Sequence, residues 1–346
     1  MHRRRPGLVR AIVAASAVAL AASARGACSS GGGDDRLTIY SGRQEELIGP
    51  LLEDFSDETG IGVDVRYGDS ADLALLIDEE GDRSPADVFL SQSPGAVGFL
   101  DADDRLGELP ADLLDRVAPS FRAEDGHWVG ISGRVRVLVY NTDLVSEADL
   151  PASVFDLTQD GYRGEVGIAP TNASFQDFVT AMREVVGDDR TLAWLEGMEA
   201  NDSPTYANNI AIVEAVGRGE IPFGLVNHYY NEEVLAEDPD APSANHLFIS
   251  GDIGSLVLVT AAAVLDTAGN RRDDAGRLVR FLLSREAQEF YAEETLEDPL
   301  VEGVDPVVEG LPPLSEIESP ELDLGSLGGQ LTRTKELIEQ SGLEQG

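Results

Sequence analysis

From Leu37 onward, short apolar runs alternate with amphipathic stretches. LTIY (37–40) reads as a strand, and Leu47, Ile48, Leu51, Leu52 and Phe55 then form one helical stripe. Pro50 lies inside that stripe, so a kink is expected there. IGVDVRYG is a second strand, Ser70 is the expected N-cap of the helix ADLALLIDEEGD, and ADVFLS (86–91) is a third strand with a helix opening at Pro94. Three strand–helix units in series predict a parallel sheet with helices on its faces.

Two longer apolar runs break the rhythm, ISGRVRVLVYNTDLV (131–145) and GSLVLVTAAAVL (254–265). Between them lies a second alternating set. GEVGIAP and IPFGLV are its strands, and its helices are the one opening at Ser174, DDRTLAWLEGME and NIAIVEAVGRG. After 265 the run RRDDAGRLVRFLLSREAQEFYAEE is helical, and the tail LGSLGGQLTRTKELIEQSGL ends in an amphipathic helix. The expectation is an α/β chain of two lobes, each a mixed sheet flanked by helices, joined by two crossing strands. Lobe 1 is 37–135 plus 261–311, and lobe 2 is 136–260 plus 312–346. A ligand cleft is then expected between the lobes, where strand ends face helix starts, and bending of the crossing strands would close it.

The N-terminus follows other rules. MHRRRPGLVR is basic, and AIVAASAVALAASA is a short apolar run, which together predict an export signal over residues 1–27. Cys28 is the only cysteine, so no internal disulfide is available. Gly-Ala-Cys followed by SSGGGDD resembles a lipoprotein cleavage site, with Cys28 lipidated and 28–36 a flexible tether. Arg25 stands where lipoproteins usually carry an apolar residue. An exported protein on the extracytoplasmic face, touching the membrane through a lipid anchor only, is expected. The formal net charge of −39 argues against nucleic acid as a partner, because a phosphate backbone needs a basic surface. Nothing signals an oligomer, and a monomer is expected.

Catalytic and structural-metal signatures are absent: no GxSxG, Walker loop, HExxH or CxxC occurs, and the four histidines are scattered. An enzyme is therefore not expected. The informative stretches sit at strand ends. They are YSGRQEE (40–46), SQSPG (91–95), SGRVR (132–136), PTNAS (170–174), ANN (207–209) and VNHYYN (226–231). Adjacent tyrosines in a strand point to opposite faces, so Tyr229 and Tyr230 can converge only if the strand ends and the backbone turns. PTNAS and ANN place small polar groups at helix starts, which suits either simple capping or an anion.

RSPADVF (83–89), SGRVRVLVYNT (132–142), NNIAIVEAVGRGEIPFGLVNHYY (208–230) and the crossing SLVLVTAAAVL resemble the ferric-ion-binding proteins of bacterial ABC importers, which have the type II periplasmic-binding-protein fold. The resemblance implies that Tyr229 and Tyr230 bind Fe(III) as phenolates. It also implies a synergistic anion such as carbonate, phosphate or citrate, held by Asn172, Ala173 and Ser174 with Asn209, Asn227 and Arg134; Arg134 is favoured over Arg136. Partners implied are the permease and its ATPase. The chemistry is coherent: Fe(III) is hard and prefers anionic oxygen, and a cation displaces a phenol proton that in water leaves only near about pH 10. Two positions depart from the family pattern. Gln44 stands where many members carry a histidine, and Gln92 where they carry a glutamate; both remain candidate ligands through their amide oxygens. Phe175 stands where some members carry a further tyrosine. The alternative within the same fold is an organic solute such as thiamine, a polyamine or a phosphonate, held by Gln44 and Gln92 with the tyrosines stacked on it. A third class, an extracellular hydrolase, would need a nucleophile–base pair that no motif supplies.

Overall fold

A computed structural model of the chain describes residues 36–306, 310–320 and 322–343. The export signal and Cys28 lie outside the described residues. The first alternating set gives β1 (Leu37–Ser41), α1 (Glu45–Thr59), β2 (Val63–Tyr67), α2 (Ser70–Glu80), β3 (Val88–Ser91) and α3 (Pro94–Ala102). The buried stripe of α1 is Ile48, Leu51, Leu52 and Phe55. Pro50 is accommodated within that helix, which ends at Gly60 in the left-handed region at φ 72°. The α2 cap differs from expectation. Asp69 is the N-cap, accepting from the Ala71 and Asp72 amides, while Ser70 is the first helical residue and its hydroxyl accepts from the Gln92 amide at 3.1 Å. Aspartate and serine both cap well, and here the serine is diverted to a neighbouring loop.

After β4 (Leu106–Gly107) and α4 (Ala111–Leu114) comes the first crossing strand, β5 (Trp128–Asn141). It starts earlier than the apolar run and ends at Asn141, whose side-chain oxygen accepts from the Asp143 and Leu144 amides and turns the chain. The second set comprises β6 (Val166–Gly167), α5 (Ala173–Val186), α6 (Asp188–Ala200), α7 (Asn209–Gly217), β7 (Phe223–Asn227), α8 (Tyr229–Glu237) and β8 (Ser243–His246). The return crossing is β9 (Val257–Leu265). The helical run over 271–294 divides into α9 (Arg272–Leu282) and α10 (Arg285–Glu294), because the Ser284 hydroxyl accepts from the Ala287 amide and caps a new start. The tail ends in α11 (Leu331–Ser341).

The strand order is β2-β1-β3-β9-β5-β7-β6, with β4 added to β9 and β8 to β5. β1 runs parallel to β2 and β3, and β6 parallel to β7. The crossing strands β5 and β9 pair antiparallel, from Trp128↔Ala263 to Val135↔Val257. One residue further on, β5 changes partner: Arg136–Tyr140 pair with β7, and Leu138–Asn141 with β8. A single strand thus belongs to both halves of the sheet. Every residue of β5 and β9 is buried, as expected of strands covered on both faces.

The tail touches both halves. Gly325 and Leu327 pack against Gly98 and Gly95 of α3. In α11 the Thr334 hydroxyl lies 2.7 Å from that of Thr180, and Arg183 Nη1 donates to Thr334 Oγ1 at 3.0 Å.

Candidate functional site

The partner change in β5 lies at the foot of a cavity of about 540 Å³, within the usual size of small-ligand sites. Its wall carries Gln44 from the β1–α1 loop, Gln92 and Ser93 after β3, and Arg134 from β5. It also carries Asn172, Ala173, Ser174 and Asp177 from the start of α5, and Asn227, Tyr229 and Tyr230 from the end of β7. Five of the six strand-end loops singled out in the sequence therefore meet around one space, and ANN (207–209) does not reach it.

The tyrosine pair converges for a local reason. β7 stops at Asn227, His228 already has helical φ −55° and ψ −42°, and both tyrosines fall in the first turn of α8. Neighbours on a helix diverge by about 100° rather than the 180° of a strand. The two rings lie 4.2 Å apart between centroids with their planes at 36°. Both are partly exposed. Burial holds the Tyr229 phenol well above its ordinary pKa, helped by Tyr230 and by the charge of Glu297, and opposed by Arg134. Tyr229 is therefore a neutral phenol at neutral pH until a cation displaces its proton.

The two arginines of β5 take different places. Arg134 lines the cavity and its Nη2 donates to the Gln92 carbonyl at 2.6 Å. Arg136 is buried behind the wall, where it donates to Asn227 Oδ1 at 3.3 Å, Ser174 Oγ at 3.4 Å and the Leu225 carbonyl at 3.1 Å. Burial lowers its pKa to about 10, which still leaves a full positive charge at neutral pH. Asn172 caps α5, accepting from the Ser174 amide and hydroxyl. Asn209 stands one layer back, donating to Asn172 Oδ1 at 3.2 Å and Ser174 Oγ at 3.1 Å. It supports the cavity wall from behind. Phe175 is buried against Phe178 and Trp194, away from the cavity wall.

Four charged residues of this region were not among the candidates named from the sequence. Glu297 lines the cavity while only 5% exposed, and Arg43 forms a buried ion pair with it at 2.6 Å. Asp177 is held up to about 6 by burial, with Arg134 opposing. Lys335, the only lysine in the chain, lies at the rim on α11. Asp177 was within reach of sequence reasoning, because it sits one helical turn after Ala173 on the same face of α5. Glu297 was not, because nothing local distinguishes it from the other acids.

Beneath the tyrosines, His228 is fully buried. Its Nδ1 accepts from the Val135 amide at 3.2 Å, so Nε2 carries the proton, 3.7 Å from Asp298 Oδ1. Burial lowers the imidazole to about 4 and raises the Asp298 carboxyl to about 7, the latter with help from Glu297.

Comparison with known proteins places this geometry. A family profile described as bacterial extracellular solute-binding protein matches residues 83–315. The major ferric iron-binding protein of Neisseria meningitidis serogroup B is 33% identical over 314 residues, covering 89% of this chain and 93% of that one. Iron-bound HitA from Pseudomonas aeruginosa superposes with a TM-score of 0.79 at 33% identity, covering 89% of this chain and 99% of that one. The Trichodesmium IdiA (FutA) protein in complex with iron and citrate superposes with a TM-score of 0.76 at 25% identity, with the same coverage. The architecture is that of the type II periplasmic binding proteins, and the chain belongs to the bacterial extracellular solute-binding protein family.

Proposed function

We propose that this protein captures ferric ion in the cavity, with Tyr229 and Tyr230 as phenolate ligands, and hands it to the permease of an ABC importer. The observation that carries the reading is the tyrosine pair itself, two rings 4.2 Å apart on the wall of a cavity of small-ligand size. Relatives named for ferric iron, similar over most of the chain, support it. A hard trivalent cation selects anionic oxygen, and phenolate supplies it with no sulfur or imidazole required. Gln44 and Gln92 bring amide oxygens without charge, so a co-bound anion or chelator completes the coordination. Carbonate, phosphate or citrate would sit at the α5 start beside Asn172, Ala173, Ser174 and Asn227, with Arg134 opposite and Asn209 supporting from behind. In this reading the lobes, 37–135 with 261–311 and 136–260 with 312–346, close by bending at β5 and β9. The protein works on the extracytoplasmic face, as a monomer held by lipid on Cys28. Replacing Cys28 by alanine then releases it into the medium, and unchanged membrane retention refutes the anchor.

Titration with ferric citrate, or with ferric ion plus bicarbonate, tests the cargo. The expected result is a visible tyrosinate-to-iron charge-transfer band that is lost in Tyr229→Phe. A colourless protein that instead binds an organic cation tightly would establish the organic-solute reading.

A further inference from the structure

We propose that Glu297 is a metal-ligating residue of this cavity, supplying the carboxylate oxygen that Gln92 does not. This rests on the ferric reading above.

Glu297 is placed by the backbone around it. The next residue, Asp298, exchanges two hydrogen bonds of 2.9 Å with Gly133, which ties this loop to β5 beside Arg134 and sets Glu297 in the cavity wall. Its two oxygens are unequally used. Oε2 accepts from Arg43 Nη1 at 2.6 Å, Ser132 Oγ at 2.8 Å and Thr295 Oγ1 at 3.5 Å. Oε1 accepts from no described residue. A carboxylate at 5% exposure with one oxygen fixed and the other bare is an anchored donor aimed by its neighbours. Arg43 is fully buried, and its Nη1 also reaches Thr260 Oγ1 at 3.3 Å. It is the positioning residue, fixed between the two crossing strands. Glu297 also acts electrostatically on Tyr229, because its charge is among the causes that raise that phenol.

The chemistry of the cargo makes the assignment specific. Two phenolates and one carboxylate offer three negative charges to a trivalent cation, whereas the amides of Gln44 and Gln92 offer none. A carboxylate whose far oxygen is held by a guanidinium matches the way ligating carboxylates are oriented in metal sites.

The test loads purified protein with ferric nitrilotriacetate and compares wild type with Glu297→Gln. The expected result is a retained tyrosinate band moved to longer wavelength, because losing an anionic donor makes the iron a better electron acceptor. Iron should also pass to a competing chelator at about tenfold lower chelator concentration or less. An unchanged band with unchanged affinity overturns the proposal, and so does a fall in melting temperature with the band unmoved. If Glu297→Gln does not fold because Arg43 is left unpaired, the double variant Arg43→Gln/Glu297→Gln removes both charges together. It should fold and show the same shift, and an unshifted band there overturns the proposal as well. A colourless wild type, by contrast, sinks the ferric reading itself, whatever Glu297 does.

Discussion

The Ser93 hydroxyl donates to Asp177 Oδ1 at 3.3 Å, joining the loop after β3 to the first turns of α5 across the cavity. It links the half of the sheet that holds β3 to the half that holds α5, while the Arg134–Gln92 bond fixes the loop after β3 against β5 within the first half. Ser93→Ala deletes one such bond and leaves both cores intact. A hydrogen bond of this kind is worth about 1 kcal/mol, so cargo release should accelerate roughly fivefold. Stopped-flow transfer of bound iron to a chelator reads this out, with thermal stability serving as the control.

Iron affinity should fall in acid. Burial and its neighbours hold Tyr229 as a neutral phenol in the free protein, so binding must expel at least that proton. Each proton expelled makes the apparent affinity drop about tenfold per pH unit on acidification. Potentiometric proton release on loading, measured beside chelator competition at two pH values, should give the same proton count.

Folding stability should show two opposed arms from one buried pair. Asp298 is raised from 3.8 to about 7 by burial and by Glu297, so its contribution is full below about 3.8 and is lost as pH rises through about 7. His228 is lowered from 6.5 to about 4 by burial, so its contribution is full above about 6.5 and is lost as pH falls through about 4. Asp298→Asn removes only the first arm. At pH 8 the variant should be more stable than wild type by about 1–3 kcal/mol, and the difference should shrink toward pH 4. Chemical denaturation across that range measures it.

The tail is held by glycine contacts that admit no side chain. A Cβ on Gly98 would stand 1.9 Å from the Gly325 carbonyl oxygen, and one on Gly95 would stand 2.9 Å from the Leu327 carbonyl carbon. Three residues apart on α3, the two glycines share one face. Gly98→Ala should cost about 1–3 kcal/mol as the tail is pushed off. It should also open residues 322–331 to limited proteolysis, which a sequencing of the cut sites would locate.

Much of the architecture was legible because its signals are local. The alternation from LTIY to PGAVGFLDAD specifies β1 through α3, and the two longer, mostly apolar runs specify strands buried on both faces. Where expectation and structure part, a single side chain is responsible. Asp69 caps α2 in place of Ser70, and Asn172 caps α5 ahead of the expected start at Ser174. GEVGIAP contributes only Val166–Gly167 as strand, because Ile168 leaves the sheet to pair with Thr205 in an isolated bridge.

By itself the sequence determined that Tyr229 and Tyr230 stand together at a strand end and that PTNAS and ANN stand at helix starts, because capping and periodicity depend on neighbours along the chain. Tertiary structure alone decided that Glu297, paired with the buried Arg43, joins those tyrosines in the cavity wall and that Ser93 reaches Asp177 across it. These residues are brought together where β5 passes from β9 to β7, and no residue's immediate neighbours in the chain record which strand lies beside it in the sheet.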